Sequence, residues 1–259
     1  MKPVTLPLSG LNIVVTRPRE QAVSLAQGIE QQGGHAVLFP LLEISPVADA
    51  KPLRTLVARL PEFNLAIFIS PNAAQYGITA VRVRREFPPH LTLYALGPGT
   101  ARELTQQGVH NVIQSGGQDS EALLALPDLQ NIARQRIVIF RGVGGREWLA
   151  DNLKARGAHV EYAECYRRVC PAADTAPLLQ RWSTGGVHAV TITSAETLHN
   201  LVAMLSDEGA AYLRTTPLFA SHEKIAETAR QFGIHQVITT TGGDAGFISG
   251  LITWFQTHA

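Results

Sequence analysis

The sequence predicts an α/β protein made of two similar parallel-sheet units. Short runs of Val, Ile and Leu alternate with stretches of roughly 10–16 residues that show helical periodicity, such as residues 146–156. The short runs are almost continuously apolar, which is typical of strands covered by helices on both faces of a parallel sheet. An internal repeat with a shift of 124 residues, which brings Ile13 onto Ile137, indicates that the pattern occurs twice.

The predicted strands are short segments rich in β-branched and other apolar residues. NIVVT, LAIFIS and RIVIF are clear examples. In chain order the predicted strands are residues 12–16, 36–39, 65–70, 91–96, 111–114, 136–140, 159–163, 187–193, 217–220 and 236–240. Most are separated by a helical stretch, as expected when parallel neighbours need a crossover connection.

The repeat is clearest where residues 13–35 align with residues 137–159 without a gap. Seven of the 23 aligned positions are identical, whereas unrelated stretches share roughly one or two at average composition. The identities are Ile13/Ile137, Val14/Val138, Arg17/Arg141, Leu25/Leu149, Ala26/Ala150, Gly33/Gly157 and His35/His159. The same shift pairs Ser70 with Ser194, each at the end of an apolar strand.

Two extended segments that carry proline, residues 40–47 and 164–171, follow the second strand of their copy of the repeat. They are compatible with loops inside two tandem domains. They are equally compatible with a pair of hinge strands, where the chain leaves one domain and later returns to it. Sequence spacing leaves both arrangements open.

Composition excludes several classes of protein. The chain has 259 residues, enough for two domains, with 45% hydrophobic and 17% charged residues, which disfavours a disordered chain or a charged coiled coil. A formal net charge of +1 provides no electrostatic footprint for nucleic acid or an anionic membrane. Polar residues interrupt the longest uncharged stretch, residues 63–81, and no signal-like segment is evident, so we expect a cytoplasmic protein.

The sequence offers no motif for a metal or organic cofactor. Cys165 and Cys170 stand alone, without a second ligand pair, and the histidines lack ligand spacing. Residues 141–146 (RGVGGR) resemble a dinucleotide-binding turn, but Glu147 stands where a third glycine belongs. We therefore expect neither a metal nor a nicotinamide cofactor.

Several candidate ligand-binding residues follow predicted strands. Gly97 and Thr100 belong to a turn that opens a helix, where free N–H groups suit a carboxylate, although a purely structural turn explains them equally well. Arg17 and Arg141 occupy matching turns of the two copies, at the edge where open α/β sheets bind ligands. Surface arginines are otherwise commonly inert.

Three hydroxyl residues complete the candidates. Ser70 and Ser194 each precede a helix, so each is expected to act as an N-cap whatever else it does. Neither lies in a nucleophile elbow, which disfavours a serine hydrolase. Tyr166 lies in the second extended segment, where a core tyrosine is the ordinary interpretation.

Taken in order, the motifs resemble the uroporphyrinogen-III synthase family over nearly the whole chain. They are VVTRPREQA, PLLEISP, FISPNAAQ, YALGPGTA, RIVIFRGVGGREWLADNLKARGAHVEYAECYRR, TITSAETL and ASHEKIAETARQFG. Each motif is short, but their order and spacing extend over most of the sequence. The RGVGGRE and ECYRR stretches look most like enterobacterial members.

The resemblance implies two flavodoxin-like domains and a chain that runs out and back. One domain would combine residues 1–39 with 172–259, and the other would hold residues 50–162. Residues 40–49 and 163–171 would pair as a two-stranded hinge, with the active site in the cleft between the domains.

The resemblance also implies a reaction without cofactor or metal. The substrate would be hydroxymethylbilane, which loses its terminal hydroxyl as water and closes through a spiro-pyrrolenine intermediate with ring D inverted. The product would be uroporphyrinogen III. The protein would act as a monomer that receives its substrate from the preceding pathway enzyme, without nucleic acid or membrane partners.

Carried over by position, Tyr166 matches the hinge tyrosine that is the family's candidate acid. Thr100, Ser70 and Ser194 match hydroxyl groups of the substrate cleft. The chain departs from the family at residues 221–224, where Ser221 and Lys224 replace a Gly-Pro-Thr-Thr-like turn, and Lys224 would offer a charge to a carboxylate. The alternative of another class is a hinge-type binding protein or sensor for a small anionic ligand.

Overall fold

The computed structural model describes residues 6–117 and 119–258. Within these residues the strands form a five-stranded sheet, called here the first sheet, and a six-stranded sheet, the second sheet. The chain divides into two compact units, one formed by Met1–Glu43 with Val169–Ala259 and the other by Ile44–Arg168. The first sheet belongs to the first unit, and the second sheet, apart from its end residues, belongs to the second.

Strands and helices alternate along the chain, as the hydrophobic pattern predicts. The strands are β1 (Asn12–Val15), β2 (His35–Leu38), β3 (Glu43–Pro46), β4 (Leu65–Phe68), β5 (Thr92–Ala95), β6 (Val112–Gln114), β7 (Arg136–Gly142), β8 (His159–Val169), β9 (Ala189–Ile192), β10 (Leu218–Ala220) and β11 (Val237–Thr239). The α-helices are α1 (Arg19–Gln31), α2 (Lys51–Ala58), α3 (Pro71–Arg82), α4 (Gly97–Gln106), α5 (Ser120–Leu124), α6 (Trp148–Ala155), α7 (Ala176–Ser183), α8 (Ala195–Met204), α9 (Asp207–Thr215), α10 (Glu223–Gln231) and α11 (Gly243–Thr257). Short 3₁₀ helices occupy Leu60–Glu62 and Pro127–Leu129.

The strand orders confirm the repeat. The first sheet runs β11-β10-β9-β1-β2, with parallel pairings throughout. The second sheet runs β3-β8-β7-β4-β5-β6, and its pairings from β8 to β6 are parallel. Matching β1 with β7 and β9 with β4 gives the same order in both sheets, although the strands occur in a different chain order. At the centre of each sheet, β1 pairs with β9 and β4 pairs with β7.

Helices cover both faces of the second sheet because alternate residues of its strands point to opposite sides. Phe68 of β4 and Phe140 of β7 stack at 4.5 Å between ring centroids on one face. Gly77 of α3 lies against these rings, and a Cβ there would stand 2.7 Å from Phe140. On the other face, Ile67 and Ile139 belong to a cluster that includes Leu149 and Leu153 of α6.

The first sheet is built in the same way. Val14 and Val190 contribute to a core that includes Leu198 of α8. Their neighbours Ile13 and Ala189 point to the opposite face, whose core includes Phe247 of α11. This alternation explains why the strands read as continuous apolar runs in the sequence.

The two extended segments differ from the expectation in one respect. The structure places residues 159–163 and most of the segment 164–171 in one continuous strand, β8, rather than in a strand followed by a separate segment. β3 supplies the strand of the other segment and lies beside β8 at the edge of the second sheet. The Arg167 Nε donates to the Pro46 carbonyl at 3.3 Å, which ties the ends of these two strands.

Across residues 6–117 and 119–258, none of the helices combines the length and the apolar character that a bilayer crossing requires.

Candidate active site

The carboxyl ends of neighbouring strands bring four sequence candidates to one edge of the second sheet. Tyr166 lies near the end of β8, Arg141 near the end of β7, Ser70 just after β4, and Gly97 just after β5. These strands are adjacent, in the order β8-β7-β4-β5. Open α/β sheets bind ligands at this edge.

Tyr166 and Ser70 contact each other directly. Tyr166 is only 3% exposed, and its hydroxyl lies 3.2 Å from the Ser70 Oγ. Ser70 is the N-cap of α3 and accepts a hydrogen bond from the Ala73 N–H at 3.1 Å, as a serine before a helix is expected to do. The Tyr166 hydroxyl therefore stands at the positively polarised end of α3.

A β-bulge in β8 sets the direction of the Tyr166 side chain. Arg141 pairs with Glu164, whereas the next residue, Gly142, pairs with Tyr166, so Cys165 is an extra residue on β8. Simple alternation would put Tyr166 on the same face as Tyr162. Instead Tyr166 joins Cys165 in the core on the α3 side of the sheet. The bulge is what lets the hydroxyl reach Ser70, and bulges commonly re-aim side chains next to active sites.

Arg141 clamps the glycine-rich loop that follows β7. Its side chain is only 3% exposed, and its guanidinium donates to the Gly142 and Gly144 carbonyls and, at 3.2 Å, to the Glu147 carboxylate. The same guanidinium lies 4.3 Å above the centre of the Tyr162 ring. These contacts tie residues 142–147, called here the glycine loop, to β7 and β8.

The Glu147 carboxylate completes this arrangement. It accepts a hydrogen bond from the Tyr162 hydroxyl at 2.6 Å. That bond, together with the bond from Arg141, lowers the pKa of Glu147 below its ordinary value. Burial, followed by the bond to Glu147, raises the pKa of Tyr162 to about 12. At neutral pH the carboxylate is therefore charged and Tyr162 keeps its proton.

The glycine loop forms one wall of a pocket of about 590 Å³. Aromatic surface from Trp148, Tyr162 and Tyr166 lines it. The charged residues of its lining carry both signs, Arg141, Arg146 and Arg168 with Asp119 and Glu121. A second hollow of about 370 Å³ contains Ser70, Gly97 and Thr100 and shares the walls Ile69 and Leu96 with the first. A mostly apolar pocket with a few polar groups is the usual form of a small-molecule site.

The turn after β5 opens α4 directly at Gly97. Gly97 has a φ of +78°, which favours glycine, and its N–H donates to the Ser115 Oγ at 3.2 Å. Thr100 lies buried in the first turn, whereas Pro98 and Gly99 are exposed. The first N–H groups of a helix have no partner within the helix, so this end of α4 suits a carboxylate.

Arg17 follows β1 in the first unit, at the position that the repeat makes equivalent to Arg141 in the second. Its guanidinium is paired with Asp244 of α11 and lies 5.3 Å from the centre of the Phe247 ring. Burial opposes the ionisation of Asp244, but hydrogen bonds from Ser24 and Arg17 lower its pKa overall. Arg17 is thus held in a fixed direction by an ion pair within its own unit.

The other candidates of the first unit line the carboxyl edge of the first sheet. Ser194 caps α8 by accepting from the Thr197 N–H at 3.1 Å. Ser221 follows β10, is buried, and donates to the Thr193 carbonyl at 3.3 Å. Lys224 lies in the first turn of α10 with an exposed side chain.

Known proteins are similar to this sequence over most of its length. The family profile described as uroporphyrinogen-III synthase HemD matches residues 23–244. The chain is 33% identical to the uroporphyrinogen-III synthase of Escherichia coli over 237 residues, which cover 90% of this chain and 96% of that protein. The chain belongs to the uroporphyrinogen-III synthase family. The enzyme of Salmonella typhimurium is similar to the same extent, again 33% identical over 237 residues with the same coverage.

Solved structures of the family share the fold. A mutant uroporphyrinogen III synthase from Thermus thermophilus superposes with a TM-score of 0.61 at 18% identity, covering 96% of this chain and 100% of that one. The enzyme from Helicobacter pylori gives a TM-score of 0.55 at 13% identity, with coverage of 96% and 100%. Membership makes the chain a cyclising lyase of tetrapyrrole biosynthesis, and the structural likeness confirms the two-sheet α/β fold.

In this member of the uroporphyrinogen-III synthase family, no three His, Cys, Asp or Glu side chains among residues 6–117 and 119–258 cluster as metal ligands would. Both cysteines are free thiols, with Cys165 buried and Cys170 exposed. Burial raises the pKa of Cys165 to about 12, so this residue is a neutral core thiol.

Sequence reasoning missed the residues that hold Tyr166 in place. Glu147 was noted only as the residue that breaks a dinucleotide motif, and Gly142 only as part of that motif. Cys165 was considered only as a possible metal ligand, and Tyr162 was not singled out. A usable signal was present in the glycine-rich run directly after a strand, because a glycine has no side chain and allows close approach of a neighbouring group.

Proposed function

We propose that the chain converts hydroxymethylbilane into uroporphyrinogen III and water, with Tyr166 as the acid. Family membership supports the overall reaction. The observation that carries the assignment of the acid is the Tyr166 hydroxyl, which lies in the pocket wall 3.2 Å from Ser70 at the start of α3. A phenolic O–H can act as a general acid toward a leaving hydroxyl.

The proposed reaction balances without a redox partner. Tyr166 donates a proton to the terminal hydroxyl of the bilane, the C–O bond breaks, and water leaves an azafulvenium cation. The substituted carbon of ring D attacks that cation and forms a spiro-pyrrolenine, which fragments and recloses with ring D inverted. A proton lost from the closing ring restores the acid. The substrate loses one water and no electrons are transferred, so the step requires no redox cofactor.

Control of conformation is the second part of the proposal. The bilane closes unaided to isomer I, so the protein must favour the hindered attack that inverts ring D. Positioning of reacting groups is worth effective molarities of 10⁵–10⁸ M in well-oriented systems. We assign substrate carboxylates to the first turn of α4 at Gly97 and Thr100, and to the set Arg17, Arg141, Ser70, Ser194, Ser221 and Lys224.

The direct test is turnover of hydroxymethylbilane at a protein concentration well below that of the substrate. The products are oxidised to porphyrins, and isomers I and III are separated by chromatography. We expect several molecules of isomer III per protein chain, against isomer I alone in the buffer control. A hinge-type binding protein would bind the bilane yet leave isomer I as the only product, and that result would contradict the proposal.

The proposal also includes a monomeric protein that acts in the cytoplasm and receives the bilane from the enzyme that makes it. Sedimentation of the purified chain tests the monomer. Capture of the bilane in a coupled reaction, before isomer I accumulates in solution, tests the handover.

A further inference from the structure

We infer that Gly142 is a positioning residue for the reaction. Because it has no side chain, the Tyr166 ring can pack directly against its backbone, in the position that places the hydroxyl beside Ser70. The inference rests on the proposed function, in which the Tyr166 hydroxyl is the acid. Gly142 ends β7 and pairs directly with Tyr166 across the bulge in β8.

The geometry leaves no room for a larger residue. A Cβ at Gly142 would lie 2.7 Å from Cε2 and 2.8 Å from Cζ of Tyr166, and 3.2 Å from its hydroxyl oxygen. The φ of Gly142 lies outside the left-handed region, so alanine would meet no backbone strain there. The Tyr166 ring is therefore the obstacle to a side chain, and the effect of one is steric.

The backbone of Gly142 is held from several sides, so the ring must yield. The Arg141 guanidinium donates to the Gly142 carbonyl at 3.2 Å and is itself held by Glu147. The next residue, Val143, donates its N–H to the Tyr166 carbonyl at 2.8 Å. These contacts fix the main chain beside the added methyl group, so the Tyr166 ring is the part that is displaced.

The size of the displacement follows from ordinary contact distances. Moving the Cε2 atom from 2.7 Å to a normal contact of at least 3.4 Å requires a shift of about 0.7 Å. The hydroxyl moves with the ring and leaves its hydrogen-bond distance to Ser70. Misplacement of a catalytic group by about 1 Å costs on the order of 10²-fold in rate, so we expect Gly142→Ala to lower kcat for isomer III by roughly 10- to 100-fold, with KM changed much less.

The experiment compares Gly142→Ala with Gly116→Ala in the full chain. Gly116 has no heavy atom within 4 Å of an added Cβ and no positive φ, so it provides the same chemical change without the clash. Steady-state kcat and KM for isomer III and the thermal unfolding midpoint are measured for both variants. Gly116→Ala is expected to match the wild type.

A double-mutant cycle with Tyr166→Phe separates positioning from a general structural effect. If Gly142 acts through the Tyr166 hydroxyl, Gly142→Ala should lower kcat by less than about twofold in the Tyr166→Phe background. Twofold is about the margin within which independent effects add, so a smaller change counts as no effect. An equal loss in both backgrounds would overturn the inference, as would a Gly142→Ala enzyme with full activity or one that does not fold. Absence of isomer III with the wild-type protein would instead refute the proposed function.

Discussion

Replacing Tyr166 with phenylalanine isolates the role of one hydroxyl group. The change keeps the ring and its packing among Cys165 and the α3 core, and removes only the group that lies 3.2 Å from Ser70. Because Ser70 keeps its bond from the Ala73 N–H, the helix cap survives. The net loss is one hydrogen bond, worth about 0.5–1 kcal/mol, or about 1–4 °C in Tm for a chain of this size.

The effect on catalysis is expected to be much larger than the effect on stability. Loss of a positioned acid lowers rates by typically 10²–10⁴-fold. We expect formation of isomer III to fall at least ~10-fold, toward that range. Isomer I forms without the enzyme, so its appearance in the same samples provides an internal clock for the uncatalysed reaction.

Tyr76→Phe is the matched control. The Tyr76 ring lies 5.9 Å from the Tyr166 ring, and its hydroxyl donates to the Ile44 carbonyl at 3.0 Å. It therefore loses a comparable hydrogen bond close to the site, and its isomer III rate should stay near that of the wild type. A folded Tyr166→Phe protein with near-full activity would refute the assignment, and catalysis would then rest on restraint by backbone donors alone.

Three further predictions follow from the same structure. Thr100→Ala should lower the rate of isomer III formation less than Tyr166→Phe does, since many contacts share the positioning of the substrate. A larger loss with Thr100→Ala would contradict the assignment of Tyr166 as the acid. Titration with a thiol reagent at pH 8 should find Cys170 reactive and Cys165 silent, because burial raises the pKa of Cys165 to about 12, and both should react after unfolding; two fast thiols in the native protein would contradict the packing. The hydrogen bond from Arg59 is the main cause of the lowered pKa of Glu161 in the folded protein. The ionised Glu161 therefore stabilises the fold at pH values above the pKa that the carboxyl has in the unfolded chain. This stabilisation is lost as the pH falls through the lower pKa of the folded protein. The pair is partly exposed, so Glu161→Gln should cost about 0.2–1 kcal/mol at pH 7, and the difference in Tm from the wild type should shrink below about pH 4; a difference independent of pH would refute the ion-pair explanation.

The strands could be predicted because their signals are local and occur twice. Residues such as Ile67 and Ile139 lie in strands buried on both faces, so hydrophobic runs identify them directly. The shared arginine at Arg17 and Arg141 then identified equivalent strands of the two copies. Helix starts were also predictable, since the Ser70 and Ser194 hydroxyls each accept a hydrogen bond from the backbone N–H three residues further along the chain.

The details of the site could not be predicted because they depend on contacts between distant residues. A single extra residue, Cys165, turns Tyr166 toward α3, and no local pattern marks where a bulge falls. The ligand role of Arg141 stays a prediction, but nothing in the sequence indicated that its donors would also bind the Gly142 and Gly144 carbonyls and Glu147. The hydrogen-bond partners of Arg141 are set by the way residues 142–147 fold around its buried guanidinium, which is a property of the tertiary structure.

The central claim, that the tetrapyrrole binds at the carboxyl edge of the second sheet beside Tyr166, is tested most directly by hydrogen–deuterium exchange. Amide exchange of the whole chain is compared with and without uroporphyrinogen III under anaerobic conditions, at a concentration that inhibits turnover. We predict slower exchange in residues 142–147 and in the first turn of α4, whose N–H groups lack partners within the helix. Unchanged exchange in both segments while the product is bound would contradict the account.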